Sequence, residues 1–389
     1  MLLPVSPPET PPAYEHVVPL LSRYRPGDLL LTGTSYSLLA RSDRVLTGIP
    51  LDELPAIVTN CLDARSPALA AGAITIDGTH CRITLCQDPK WAGPPPMHPC
   101  VRCESFDWQV SAIPGQDGYL QAVQTARDRI AGGDRDTVVL ACSLDLTGQR
   151  PLLVRDLLRH LGGGGMHTYA VPLGGEQVLL ADCPELLVAK HGSTVTATSR
   201  SGLARRDLAD PAEDRAIAER LLLSVEDRHE HQFLTDAVAA ALRPHCQRLH
   251  VPEPTVLATP TVWHLSTPIS GRLTDPAPTS LELAATLHPT PARCGTPTSQ
   301  AAALITKLEA GMCVERGFYA GLIGWQDAHG DGEWAITLHG AVLDGQHHLR
   351  MYAGASIAAA SDLDAVLTQT GDTFAAMLHA LHYEPDTAR

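Results

Sequence analysis

The chain has 389 residues, a formal charge of −14 and an apolar fraction of 44%, with aromatic residues at only 4%. That length suffices for one large domain or two average ones with a substantial core, filled mainly by Leu, Val and Ala. The acidic balance and the lack of any basic run exclude nucleic acid and anionic membranes as general partners, and no apolar window of about 18 residues offers a membrane helix.

The first residues, MLLPVSPPETPPAYEH, are Pro-rich and acidic and predict a disordered lead-in over 1–18, without a secretory pattern. The ten cysteines are scattered, so reduced thiols and a cytoplasmic location are expected. Segments 26–48 and 70–88 carry short apolar runs, DLLLTG and GAITIDGTHCRITLC, that predict strands and a hairpin. A Pro-rich loop at 92–99 sets this part off from the remainder. Beside it, MHPCVRC gathers His98, Cys100 and Cys103, but no second pair follows at the spacing of a zinc site.

YLQAVQTARDRIAGG (119–133) predicts a helix stopped by paired glycines, and TVVLACSLDL (137–146) a strand. PLLVRDLLRHL is a helix. The four glycines at 162–165 lack a following GK[ST] and predict a turn, not a phosphate loop. MHTYAVPLGG reads as a strand and QVLLADCPELLVAKHGSTVTATS as paired strands. From Asp210 a helical period runs unbroken to His245.

That period contains SVEDRHEH, a stretch crowded with groups that bind metals. Asp227, Glu230 and His231 fall at i, i+3 and i+4 and share one helix face, while His229 points elsewhere. Phe233 and Leu234 exclude the HExxH spacing. By itself the stretch reads first as a solvated, charged helix face. Downstream, HLSTPISGRL predicts a strand, and SLELAATLHPT and SQAAALITKLEAG predict helices. Residues 319–358 predict a two-stranded hairpin, turning at Gly330-Asp331-Gly332, followed by a third strand; 361–382 predict a helix. Strands and helices interleaved without regular alternation predict an α+β fold with largely antiparallel sheets.

Eight blocks in register, CPELLV, SGLARR, SVEDRHEH, TPTVWHLSTPISG, LHPTPARCGTP, RGFYAGLIGW, GDGEW and RMYAGASI, resemble the chorismate-utilising enzymes. The nearest likeness is to the isochorismate synthases of siderophore and menaquinone pathways. The match is clear over 119–382 and weak over 19–110. It implies a single domain over 19–389, two stacked α/β halves around one central site.

The resemblance also implies a chemistry. Such enzymes add water at one ring carbon of chorismate while a hydroxyl leaves another. A lysine serves as base, a glutamate as acid, Mg2+ grips the ring carboxylate and an arginine the enolpyruvyl carboxylate. Glu185 matches the acid, and enclosure at a strand end is expected to favour its protonated form. Asp227 and Glu230 match half of the Mg2+ site, and His264 and Tyr319 match pocket residues. Thr290 and Arg293, in HPTPARCG, lie in a further matching block and are expected at the substrate.

Other family positions differ. Thr137 stands where the base lysine belongs, and a threonine hydroxyl is no base near neutral pH. Val366 and Gln369 replace the two glutamates that complete the metal site, and Mg2+ requires charged oxygens to offset its dehydration. Thr373 replaces a carboxylate-binding lysine, His339 an arginine, and Ser356 a glycine. Arg200, at an apolar family position, or Arg293 is expected to compensate for part of the lost positive charge.

The expectation is a small-molecule enzyme of a specialised pathway that needs no cofactor, uses Glu185 as acid with His339 or His264 as partner, and takes a ligand less anionic than chorismate. Other enzymes of its pathway are possible partners. Two alternatives stay open: an isochorismate synthase that retains Mg2+, and a non-catalytic binding homologue.

Overall fold

The computed structural model describes residues 20–41, 44–62, 67–94, 108–133, 136–161, 167–183, 185–259 and 262–380. The expected lead-in at 1–18, the glycines 162–165 and the cluster of His98, Cys100 and Cys103 lie outside them. The cysteines among the described residues are free thiols.

Two antiparallel ten-stranded sheets stack face to face, as the α+β expectation required. The first sheet takes its centre from Thr137–Gly148, His348–Ala358, His339–Asp344, Gln177–Cys183 and His167–Gly174, in that spatial order. The second is centred on Val262–Leu273, Thr194–Arg205, Leu186–His191, Gly332–Ile336 and Leu322–Asp327. Between them lies a core to which both contribute, including Leu29, Tyr169 and Leu179 from one and Ala71, Ile323 and Trp325 from the other. The outer faces are covered by helices, among them Gln116–Ala131 and Leu363–Ala380 on the first sheet.

The 19–110 segment is not set apart. Leu29–Thr32 and Ser37–Ala40 extend the first sheet, and Leu69–Ile74 and Cys81–Cys86 extend the second. A second departure concerns 319–358, which forms four strands, not three, divided between the sheets. Leu322–Asp327 and Gly332–Ile336 pair as the expected hairpin, but the chain then crosses to the first sheet at Thr337–Leu338. The crossing is invisible in the pattern because both sides are apolar strand.

A third departure is the helix at 210–245, which is two helices, Pro211–Leu223 and Val225–Leu242. Ser224 has extended backbone, and its hydroxyl caps the second helix by accepting from the amide of Asp227. A serine in a helical period offers this side-chain bond in place of the helical one.

Candidate active site

The chain passes between the sheets at two points that lie side by side. One runs from Cys183 to Leu186 and carries Glu185; the other joins Ile336 to His339. The amide of Ile336 donates to the carbonyl of Glu185 at 3.1 Å, locking the two crossovers together. Strand ends of both sheets therefore converge here, and the sequence blocks around 185, 200, 264, 293 and 339 meet.

Glu185 is 6% exposed. It accepts from the guanidinium of Arg293 in a close ion pair, so the residue expected as the acid has a cation as its direct partner. Arg293 comes from the short helix Pro291–Cys294, whose next residue, Gly295, has φ +120°. A Cβ at Gly295 would stand 2.3 Å from the carbonyl of Thr137, so only glycine lets this helix lie against the start of the 137–148 strand.

Arg200 and His264, on neighbouring strands of the second sheet, feel the charges of Glu185 and Arg293. Burial lowers the pKa of Arg200 and of His264 alike. The Nδ1 of His264 lies 2.7 Å from the carbonyl of Gly202. A carbonyl only accepts, so Nδ1 carries the proton and Nε2 is left as an acceptor. His339 remains open to solvent but is enclosed by protein; burial, then the charges of Arg293 and His264, push its pKa down to about 4. Both imidazoles are thus neutral at neutral pH.

Polar atoms here are left unmet. Arg200 Nε, Arg293 Nε, Thr290 Oγ1, His167 Nδ1, Asp182 Oδ1 and Thr337 Oγ1 are all buried without a hydrogen-bond partner. Such groups are costly inside a fold, and their gathering at one end of the sheets marks a place for a polar ligand. Tyr319 is buried nearby, stacked on Tyr352 at 5.4 Å. Its hydroxyl fits because Gly354 has no Cβ; one built there would stand 3.0 Å from it.

Four expected substrate residues are not joined to this group by any described contact. Thr137 is half-buried where its strand pairs with Thr296 and Ala358, and Ser356 is exposed opposite Val139. Gln369 is exposed, and the hydroxyl of Thr373 donates to its carbonyl at 3.0 Å. Conversely, three residues that the sequence reading did not single out bear on the site: Asp182 and His167, outside the matching blocks, and Arg316, the first residue of the RGFYAGLIGW block. Arg316 donates to the carbonyls of Arg293 and Val139 and pairs with Glu309, so it fixes the helix that presents Arg293.

Asp227 and Glu230 do share a face of Val225–Leu242. Burial, then the charges of Asp227 and Glu226, raises the pKa of Glu230. Asp227 Oδ1 lies 3.7 Å from a Cβ built on Gly202, next to the carbonyl that holds His264. Among the described residues, no set of three His, Cys, Asp or Glu side chains is grouped to hold a metal. Val366, at the expected third position, is 4% exposed and packed in the outer core. The residues present do not fit Mg2+, which requires a near-octahedral oxygen shell.

His231, the third group of that crowded stretch, is a core histidine. It is 1% exposed, with Nδ1 2.7 Å from the Ser201 hydroxyl and Nε2 2.8 Å from that of Thr267. His231→Ala would strand both hydroxyls and open a void, and should cost about 1–3 kcal/mol in urea unfolding.

Residues 101–382 match the family model described as chorismate binding enzyme. Isochorismate synthase DhbC of Bacillus subtilis is 36% identical over 386 residues, covering 93% of this chain and 95% of its own. Isochorismate synthase EntC of Escherichia coli K12 is 37% identical over 271 residues, covering 69% of this chain and 68% of its own. A Bacillus anthracis structure described as a 2,3-dihydroxybenzoate-specific isochorismate synthase, DhbC, superposes with a TM-score of 0.86 at 33% identity, covering 94% of this chain and 99% of its own.

Proposed function

The chain belongs to the chorismate-binding enzyme family, and on that premise we propose that it is an isochorismate-synthase-like enzyme that works without Mg2+ on a cyclic substrate less anionic than chorismate. The observation that carries this reading is the charge of the site. Arg200 and Arg293 face Glu185, an excess of one positive charge, which one ligand carboxylate would match. A second carboxylate would approach Asp227 and Glu230 with Val366, an apolar side chain, in place of a further ligand. Bringing that second negative charge beside them without a cation is unfavourable by several kcal/mol.

The protein's own groups supply proton transfer. Arg293 orients Glu185, and a carboxylate so held takes a proton from the substrate and returns it at a second oxygen or carbon, an elimination, cyclisation or isomerisation. His264 accepts a hydrogen bond through Nε2, and Tyr319 closes the pocket from behind. Place in a biosynthetic pathway with partner enzymes, in the cytoplasm, belongs to the same proposal; no helix among the described residues is long and apolar enough to cross a membrane.

Calorimetric titration of metal-stripped protein with chorismate, with and without millimolar Mg2+, tests the reading, with products analysed from the same mixtures. No heat and no product in either condition, from a folded protein, is the expected result. Mg2+-dependent binding with isochorismate formed would instead establish the ordinary synthase, for which the surviving Asp227 and Glu230 speak.

A further inference from the structure

Asp182 is the penultimate residue of Gln177–Cys183. In the antiparallel register it stands directly opposite His339, the first residue of the neighbouring strand, and opposite Thr168 on its other side. Directly opposed residues send their side chains to the same face, with Cβ atoms about 4.5–5.5 Å apart. Carboxyl and imidazole can therefore meet by side-chain rotation alone. Asp182 Oδ1 is buried and has no hydrogen-bond partner. The crossover that follows Asp182 carries Glu185, and the one that precedes His339 is bonded to it, so the two residues sit at the mouth of the site.

We propose that Asp182 and His339 form a carboxyl–imidazole pair in which His339 meets the ligand and Asp182 acts through it as a positioning and proton-holding residue. This rests on the proton-transfer reading above only for the step onto the ligand. In that step the carboxyl proton of Asp182 passes to the facing nitrogen of His339, and the proton on the other ring nitrogen passes to a ligand oxygen. Asp182 is left as carboxylate and the imidazole in its other tautomer; one proton from solvent resets the pair.

Burial pushes the Asp182 carboxyl up to about 7 and holds His339 near 4. Between those limits both groups are neutral, so the proton the pair would pass on rests on the carboxyl. The groups in their surroundings have been placed: Arg293 and His264 act on His339, while Cys183 and Tyr169 share the field of Asp182. The helix Val154–Leu161, packed on the same strand, brings Asp156 and Arg155, whose guanidinium donates to the carbonyl of Tyr24 at 2.9 Å.

The test uses the ligand-free, full-length protein with 15N-labelled histidine, His339 being assigned by its loss in His339→Gln. The ring nitrogens of His339 should shift in a step near pH 7, as Asp182 ionises beside them. Asp182→Asn should abolish that step, and Asp182→Glu should keep it at a displaced pH. A His339 signal that stays flat between about pH 6 and 8, or a step that survives Asp182→Asn, would overturn the pair. If Asp182→Asn does not fold, the infrared band of the protonated Asp182 carboxyl decides. Its frequency should change in His339→Gln, and an unmoved band refutes the proposal. Because no ligand is present, these readouts stand or fall separately from the turnover of Glu185→Gln.

Discussion

Arg316→Ala should lower stability by about 3–5 kcal/mol, read as a shift of the urea midpoint, because it leaves a buried carboxylate without its cation. The side chains of Arg316 and Glu309 are 5% and 6% exposed. The guanidinium Nε donates to both carboxylate oxygens, at 2.9 and 2.8 Å, and its other nitrogens reach the carbonyls of Val139 and Arg293. Glu309 in turn accepts from the amide of Ala141 at 2.9 Å. The pair thus joins the helix Thr298–Gly311, the strand Thr137–Gly148 and the short helix that presents Arg293. Replacing both partners together, Glu309→Leu with Arg316→Met, should recover only part of the loss. The uncompensated charge disappears, but the amide of Ala141 and two carbonyls are then left unpaired. Full recovery in the double variant would show that those backbone bonds contribute nothing.

Glu185→Gln should reduce turnover by about 10²–10⁴-fold with little change in fold, as expected when one positioned proton-transfer group is removed. Glutamine keeps the shape and can still accept from Arg293, but it neither takes nor returns a proton. The measurement is product formation in the native pathway, with the variant's folding checked by circular dichroism. An unchanged product profile would remove the enzymatic reading and leave a ligand-binding homologue. The buried pairing of Glu185 with Arg293 makes Arg293→Ala the less informative change, because stability and chemistry would fall together.

Much of the fold was legible in the residues. Alternating apolar runs such as QVLLADC and GAITI identified strands that the structure contains, and Gly132–Gly133 marked a helix end. These signals are local: strand period, capping and turn chemistry act over a few residues. The break at Ser224 was local too, yet it lay hidden because a capping serine does not interrupt the apolar spacing around it.

The sequence by itself determined the family, through eight ordered blocks, and nominated Glu185, Arg200, His264, Arg293 and His339, which the structure brings together. It could not determine what each does. Asp227, Glu230 and His231 share a helix face by spacing alone, but only the packing of that face on Ser201 and Thr267 makes His231 a core residue. The Glu185–Arg293 ion pair joins positions 108 apart in the chain, and Asp182 gains its meaning only from the strand register that sets it opposite His339. Charge and proton affinity depend on through-space neighbours and on burial. Both are fixed where the chain crosses between its two sheets, and no local pattern encodes that crossing.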